Sequence, residues 1–341
     1  MDDYGVEITD DEKAAMKEAA EKFMSDNTKS ALKEVGATEE YVERCLETVL
    51  NQSYNNIEII IVNDGSNDLS HNIISKIIQN HQNINYIQLE HNIGVGNARN
   101  CGIQNAHGEY IGFVDSDDWV DSSFYEQLLN SILSYNADIA VAGIRTEIED
   151  VSHPRNRYTY PKPSVLQGKF ALHALVNMYN SDIKITPIVN NKLYKKSLIR
   201  DNHIIFDKSR RAQDNYFSFM ALMYSSRTVL VNNTFYHYYQ RPSSITHDVS
   251  NGYIDDYIYV LTDLKQTLEN RKMFDEYSQE FTAFVMRCFN AMINNLFSQE
   301  QDSRTQKKRI IYILKKMSDV LPWSILIEKI DIERFRRFWE P

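Results

Sequence analysis

Cysteine is scarce in this chain, and no run of apolar residues is long. The three cysteines, Cys45, Cys101 and Cys288, stand far apart and form no CxxC pair. This argues against a disulfide framework or a zinc site and is typical of a reducing compartment. No stretch approaches the roughly 18 consecutive apolar residues of a membrane span, and the N-terminus has no basic-then-apolar leader. These absences predict a cytoplasmic protein.

A basic excess is also missing. The formal net charge is −10, and 14 of the 47 acidic and 6 of the 37 basic residues lie within residues 1–50. The rest of the chain is therefore nearly neutral, which argues against a nucleic-acid partner. The apolar content of 43% is sufficient for a substantial core, and the 341 residues can form one large domain or two ordinary ones.

Residues 1–37 predict an acidic helical appendage. Thr9-Asp10-Asp11-Glu12 matches a capping box, with Thr at the N-cap and Glu three residues later. Apolar residues then recur at helical spacing from Ala15 to Met24, and we expect this helix to continue to about residue 35. A second amphipathic helix is predicted from near Thr38, with the apolar stripe Tyr41, Val42, Cys45, Leu46, Val49 and Leu50.

From residue 57 onward, strands alternate with helices. The apolar runs that predict buried strands are Ile57–Val62, Ile84–Leu89, Tyr110–Val114 and Asp138–Ile144. Strands alternating with helices predict an α/β fold with a mostly parallel sheet flanked by helices.

Acidic residues follow two of these predicted strands. Asp64 comes after the first strand, and Asp115 and Asp117 come at the end of the third. In open parallel sheets, the loops at the carboxyl ends of the strands build the ligand site. We therefore expect these three carboxylates to line one pocket.

The run Asp115-Ser116-Asp117-Asp118 leaves two interpretations open. Carboxylates one residue apart on an extended segment point the same way and can reach one hard divalent cation, such as Mg2+ or Mn2+. Alternatively, the run is a solvated acidic turn that precedes a helix, with Asp121 as the N-cap.

Several common site motifs are excluded. Gly94-Val95-Gly96 does not extend to GxGxxG because Arg99 occupies the position of the third glycine. No Walker-type GK[ST] and no GxSxG elbow occurs. Trp119 and Val120 stand where an EF-hand needs an oxygen ligand and a glycine.

A series of short segments resembles the family 2 glycosyltransferases with the GT-A fold. In order along the chain these are Leu50–Tyr54, Ile59–Ser66, Gly94–Asn100, Gly108–Asp118, Asn191–Tyr194, Gln213–Asp214 and Arg241–Ile245. Each segment alone is weak evidence, but their order and spacing together are specific. The resemblance covers roughly residues 38–250 and favours the metal-binding interpretation of the acidic run.

The resemblance implies an inverting transfer of a sugar from a nucleotide-sugar, most often a UDP-sugar, to an acceptor hydroxyl. By this resemblance Asp64 contacts the base of the nucleotide and Arg99 helps to hold the nucleotide. Asp115 and Asp117 bind the ribose and the Mn2+ or Mg2+ ion that bridges the diphosphate. Asp214 stands in the family's Glu-Asp pair and is implied to be the general base, with Gln213 replacing the usual Glu.

The same resemblance assigns the remaining site residues and the partners. Arg241 and His247 are implied to approach the diphosphate or the metal from the C-terminal side. The implied acceptor is a glycan or a lipid-linked glycan in bacterial surface polysaccharide synthesis.

One departure from the family pattern supports an alternative function. The family begins with a buried central strand, and residues 1–37 contain no such apolar run. A central strand cannot be lost without leaving unpaired backbone groups on both neighbouring strands. A catalytically impaired scaffold or nucleotide-sugar binding protein is therefore the second hypothesis, and a metal-dependent nucleotidyltransferase is a weaker third.

The chain is predicted to be helical from about Tyr253 onward. This divides it into an N-terminal segment (1–37), a GT-A domain (38–250) and a helical region (251–341). The last region contains a basic amphipathic stretch with Lys307, Lys308, Arg309, Lys315 and Lys316. Two alternatives are open for this stretch: peripheral contact with the inner face of the membrane, or packing on its own domain.

Overall fold

The computed structural model describes residues 29–35, 39–81, 83–148, 155–178, 182–207, 209, 211–240, 250–300 and 302–329. The strands are β1 (Lys29–Val35), β2 (Ile57–Asn63), β3 (Ile84–Gln88), β4 (Tyr110–Asp115), β5 (Trp119–Val120), β6 (Ile139–Ile148), β7 (Arg155–Arg157), β8 (Ser164–Gln167), β9 (Lys192–Lys195) and β10 (Arg227–Gln240). The helices are α1 (Glu39–Leu50), α2 (Ser70–Ile78), α3 (Val95–Asn105), α4 (Phe124–Tyr135), α5 (Lys169–Val176), α6 (Lys196–Asp201), α7 (Gln213–Tyr224), α8 (Asn251–Asn270), α9 (Phe274–Gln299), α10 (Ser303–Val320) and α11 (Trp323–Lys329).

These strands form one mixed sheet in the order β3-β2-β1-β4-β9-β6-β10-β5, with β7 beside β6 and β8 beside β10. Strands β3, β2, β1 and β4 are mutually parallel, and β6 is parallel to β10. Strand β9 runs antiparallel to both β4 and β6, so it joins the two parallel halves. The predicted α/β fold with a mostly parallel sheet is confirmed.

The prediction that the central strand is missing is wrong. Strand β1 lies between β2 and β4 and pairs with both, with Leu32 opposite Ile60 on one side and Phe113 on the other. Its sequence, KSALKEV, is rich in residues that favour helices, which is why a helix was expected to continue to residue 35. Strand pairing overrides that preference because β2 and β4 both need partners for their backbone groups. The predicted helix from Ala15 to Met24 lies outside the described residues.

Helices cover both faces of the sheet. Along β2, Ile59 and Ile61 pack on one face with α1, α2 and α4, whereas Ile60 and Val62 pack on the other with α3 and α7. The predicted stripe of α1 is confirmed, since Val42, Cys45, Leu46 and Val49 are buried. Because both faces of β2 are buried, its sequence is a continuous apolar run and does not alternate with polar residues.

The helical C-terminal region is also as predicted. Helix α8 packs against α7, α9 packs against α5, and α10 packs against α8 and α9. Leu261, Phe281 and Ile310 share one core with Phe113 of β4. The apolar face of α10 is therefore used within the protein, through Ile310, Ile313 and Met317. Among the helices in the described parts of the chain, none is long and apolar enough to cross a membrane.

Candidate active site

Strand β4 ends at the acidic run, at the carboxyl edge of the parallel strands. After Asp115 the chain turns, with the N–H of Asp118 donating to the carbonyl of Asp115 (3.1 Å), and then enters the short strand β5. Asp115 and Asp117 are partly exposed, whereas Ser116 and Asp118 are buried. The turn therefore presents two carboxylates to solvent and uses a third inside the protein.

Arg99 links this turn to α7. From the second turn of α3, its buried guanidinium donates to Asp115 Oδ1 (2.7 Å) and to Asp214 Oδ1 (2.6 Å). The ring of Phe206 lies beneath the guanidinium, 5.3 Å from centroid to Cζ. One cation thus holds together carboxylates that are 99 residues apart in the chain, and three of the predicted site residues meet here.

Asp214 lies in the first turn of α7 and is 22% exposed. Burial raises the pKa of its carboxyl above the ordinary value, and nearby Asp115 adds to this rise. Arg99, the backbone of Val189 and Lys192 act in the opposite direction. A carboxylate with a raised pKa is a stronger base, and this one faces a site that solvent can reach.

The segment 186–192 lies near Asp214 and contains the buried Lys192. The Lys192 amine is buried and donates to the carbonyl of Thr186 (2.8 Å), the carbonyl of Ile188 and Asn191 Oδ1 (2.9 Å). Burial lowers the pKa of Lys192 to about 7, although Asp214 partly offsets this effect. The Asn191–Tyr194 segment is visible in the sequence as a motif, but the burial of Lys192 depends on tertiary contacts that the sequence does not indicate.

Asp118 anchors the acidic turn to β10. Its Oδ2 accepts from the Tyr236 hydroxyl (2.5 Å), and its Oδ1 accepts from the backbone N–H of Tyr239 (2.8 Å). Burial and the neighbouring carboxylates of Asp117 and Asp115 hold the pKa of Asp118 well above its usual range. The Tyr236 hydroxyl also accepts from the N–H of Asp115 (3.2 Å) and from Asn190 Nδ2 (3.1 Å). Tyr236 is the central residue of this network, and no motif in the sequence indicated it.

Helix α1 supports the same turn from the other side. Arg44 donates to the carbonyl of Asp117 (3.0 Å) while its guanidinium lies 3.9 Å from the centroid of the Trp119 ring. The Cys45 thiol donates to the carbonyl of Asp115 (3.1 Å). These contacts fix the backbone of the turn at Asp115 and Asp117, and they give Cys45 a role beyond core packing.

The alternative role of Asp121 as an N-cap is wrong. Ser123 precedes α4, and no side chain caps that helix. Instead, Asp121 accepts from the N–H of Phe235 (2.8 Å) and contacts Nε2 of His237 (3.0 Å). Burial raises the pKa of Asp121, but the hydrogen bonds from His237 and Phe235 outweigh burial, so the pKa is lowered overall. Asp121 therefore ties the acidic turn to β10.

Asp64 lies at the end of β2 and holds a neighbouring loop. Its two oxygens accept from the backbone N–H groups of Ile93 (2.7 Å) and Gly94 (2.9 Å), just before α3. Gly65 follows with φ +69°, and a Cβ there would lie 2.7 Å from the backbone N of Asn92, so only glycine fits. Asp64 thus positions the start of the helix that carries Arg99. Its contact with the nucleotide base stays a prediction.

The family resemblance predicts Asp115, Asp117 and His247 as metal ligands and Arg241 as a contact to the diphosphate. Arg241 and His247 lie outside the described residues. Within the described ranges, no group of three or more acidic, His or Cys side chains could hold an ion by itself. The two carboxylates of the turn still fit a hard divalent cation that takes its other oxygens from a diphosphate, because Mg2+ and Mn2+ are usually shared with substrate phosphates.

A mostly parallel sheet, an acidic turn at its carboxyl edge and the Asp214 carboxylate joined to that turn through Arg99 are the arrangement expected of a GT-A type transferase. The family model for glycosyl transferase family 2 matches residues 31–203. Putative glycosyltransferase EpsH of Bacillus subtilis is 30% identical over 266 residues, covering 75% of this chain and 74% of EpsH. Glycosyltransferase GlyG of Streptococcus pneumoniae is 28% identical and covers 74% of this chain and 92% of its own.

Solved structures agree on the fold. The crystal structure of Staphylococcus aureus TarS 1-349 has a TM-score of 0.66 at 21% identity, covering 87% of this chain and 82% of that one. The same protein in complex with UDP-GlcNAc has a TM-score of 0.56 at 17% identity, covering 92% and 78%. The chain belongs to glycosyltransferase family 2, has the GT-A fold and is a glycosyltransferase.

Proposed function

We propose that this enzyme transfers a sugar from a UDP-sugar to an acceptor hydroxyl with inversion, in a metal-dependent reaction of surface polysaccharide synthesis. The observation that carries the proposal is the Arg99 bridge. The guanidinium of Arg99 lies 2.6 Å from the Asp214 carboxylate and 2.7 Å from the Asp115 carboxylate, which places Asp214 beside the acidic turn. A base and a diphosphate-binding turn are thereby brought to one site from different parts of the chain.

Asp214 is the proposed base. A sugar hydroxyl is a poor nucleophile, and a positioned carboxylate with a raised pKa can accept its proton as the new bond forms. Inversion requires that the base and the leaving group lie on opposite sides of the sugar. Arg99 holds Asp214 on one guanidinium nitrogen and Asp115 on the other, so the proposed base and the acidic turn are fixed as two distinct groups.

Asp115 and Asp117 are the proposed metal ligands, completed by His247. A divalent cation bound there would stabilise the charge that develops on the departing nucleoside diphosphate. Arg241 is proposed to contact the same diphosphate. Arg99 orients Asp115, while Arg44 and Cys45 fix the backbone on which both carboxylates stand.

A UDP-sugar is the proposed donor, and Asp64 the proposed contact to uracil. The complex of TarS with UDP-GlcNAc supports this choice, since that structure shares the fold. The proposed acceptor is a glycan or lipid-linked glycan, and nucleic acid is not a proposed partner. We place the enzyme in the cytoplasm, with peripheral membrane contact through the basic residues of α10 beside the exposed Ile311 and Trp323.

The decisive experiment incubates the protein with a panel of UDP-sugars and Mn2+ and measures UDP release. We expect release with at least one sugar, and a loss of about 100-fold or more in Asp214→Asn, because general base catalysis contributes roughly that much. Titration with UDP should give equal affinity for the wild type and Asp214→Asn. Asp117→Ala should instead weaken Mn2+-dependent UDP binding.

Asp201→Asn is the matched control, since Asp201 is an exposed carboxylate outside the site. It should leave both UDP release and UDP binding unchanged. Full activity in both Asp214→Asn and Asp117→Ala would refute the proposal. Release of pyrophosphate in place of UDP would identify a nucleotidyltransferase.

A further inference from the structure

A cavity of about 470 Å³ lies apart from the acidic turn and is not used by the proposed chemistry. Its walls come from the end of β7 and the following loop on one side, and from the start of the 182–192 segment on the other. The lining residues are Arg157, Tyr158, Thr159, Tyr160, Asp182 and Lys184. The volume falls within the range of small-molecule sites, roughly 300 to 1,000 Å³.

A hydrogen bond joins the two walls of this cavity. The buried Tyr160 donates its hydroxyl to the backbone carbonyl of Lys184 (3.1 Å), which links one wall to the other. Tyr158 has a positive φ of 52°, a conformation that is costly for an aromatic residue. Gly143 of β6 lies near this loop: a Cβ there would lie 3.3 Å from the Tyr158 carbonyl and 2.8 Å from the ring of Phe235.

The lining has the chemistry of a site for an anionic sugar. Arg157 and Lys184 supply two cations against the single carboxylate of Asp182, and all three are exposed. The surrounding segment, residues 155–184, holds five Lys or Arg and one acidic residue, although the whole chain carries a charge of −10. Tyrosine rings and a threonine hydroxyl suit the apolar faces and hydroxyl groups of a sugar.

The segment that lines one wall of the cavity continues to a backbone contact with Asp214. Lys184 stands five residues before Val189, whose backbone hydrogen-bonds with Asp214. Five residues span at most about 18 Å, a distance that a short oligosaccharide can bridge. An acceptor whose reacting hydroxyl lies at Asp214 can therefore place a neighbouring unit in this cavity.

We propose that this cavity is an acceptor subsite that binds a sugar unit carrying a phosphate group. The proposal rests on the proposed transferase function and specifies its acceptor class. Arg157 and Lys184 bind the phosphate, while Tyr158 and Thr159 contact the sugar.

Calorimetric titration with glucose 6-phosphate, glucose and inorganic phosphate tests this proposal, with saturating UDP present to occupy the nucleotide site. We expect the wild type to prefer glucose 6-phosphate over both other probes by at least about tenfold. Lys184→Glu and Arg157→Glu should each weaken the binding of glucose 6-phosphate about tenfold. Reversing the charge of either side chain removes a charge-assisted hydrogen bond to the phosphate and adds repulsion. Lys184→Gln should give a smaller loss in the same direction.

Lys162→Glu is the matched control, since Lys162 is exposed on the same segment but does not line the cavity. It should bind glucose 6-phosphate as the wild type does. The assignment would be overturned if the wild type bound glucose or inorganic phosphate as tightly as glucose 6-phosphate. It would also be overturned if Lys162→Glu weakened the binding of glucose 6-phosphate as much as Lys184→Glu does. Titration with UDP alone reports separately on the transferase site, so failure of the two proposals can be distinguished.

Discussion

Arg99 is the residue on which the geometry of the candidate site depends. It is 6% exposed and contacts two carboxylates that are 33% and 22% exposed, so one buried cation offsets part of the charge of two partly buried acids. Removing one partner of a buried charge cluster leaves the others uncompensated, which costs more than the pairing itself contributes.

We expect Arg99→Ala to lower the free energy of unfolding at pH 7 by about 2 kcal/mol. This loss is smaller than the loss for a fully buried ion pair because both acids are partly solvated. Without Arg99 the pKa of folded Asp214 rises further above its unfolded value. The destabilisation caused by ionised Asp214 in the folded variant is present above that folded-state pKa and disappears as the pH falls through it. Urea unfolding at pH 7 and pH 5 should therefore show a smaller loss at pH 5.

Arg200→Ala serves as the control for this prediction. Arg200 also pairs with an aspartate at 2.7 Å, but both partners are more than half exposed. This variant should unfold at the wild-type urea concentration at either pH. A loss in Arg99→Ala that is equally large at both pH values would contradict the charge argument.

Among the elements, β4 is the strand that positions the acidic turn. Gly112 lies in its middle, and the ring of Tyr125 from α4 packs directly on it. A Cβ at this position would lie 2.5 Å from a ring carbon of Tyr125. Because Tyr125 is buried, its ring cannot move aside without disturbing its neighbours.

Gly112→Ala should therefore destabilise the protein by about 1–3 kcal/mol, the usual cost of overpacking a core. UDP binding should weaken as well, since Asp115 stands three residues further along the strand. Denaturant unfolding and UDP titration measure the two effects. Gly252→Ala is the control: its Cβ would lie 3.6 Å from the nearest atom, at the start of α8, and stability should be unchanged or slightly higher. Wild-type stability in Gly112→Ala would argue against this packing.

Strand β1 is the element that the sequence does not predict. Its residues favour a helix, and its place between β2 and β4 follows only from the pairing needs of those strands. The hypothesis of a non-catalytic protein was based largely on the absence of this strand, and that ground is now removed. Strand β9 was likewise recognised as a sequence motif but not as a strand, because four residues are too few for a pattern to be evident.

At the scale of the whole molecule, the boundary proposed at residue 250 does not coincide with a gap in the core. Phe219 of α7 packs against Phe284 of α9 with ring centroids 5.1 Å apart, within one continuous apolar cluster. A shared core of this kind couples the folding of both regions, because neither can expose its face of the contact without losing burial free energy.

We therefore expect the full chain to unfold in a single transition. Helical circular dichroism, to which α8, α9 and α10 contribute strongly, and tryptophan fluorescence, which reports in part on Trp119 beside the acidic turn, should give the same midpoint in urea. Two separate midpoints would instead support independent domains at residues 38–250 and 251–341.

The sequence by itself determined the fold class, the family and the identity of Asp115, Asp117 and Asp214 as site candidates. Buried parallel strands and short polar motifs are local patterns, so they are visible along the chain. Only the tertiary structure decided that Lys29–Val35 is the central strand, that Arg99 joins Asp115 to Asp214, and that Tyr236 and Asp118 hold the turn. These features depend on contacts between segments as far as about 120 residues apart, which local propensity and spacing do not encode.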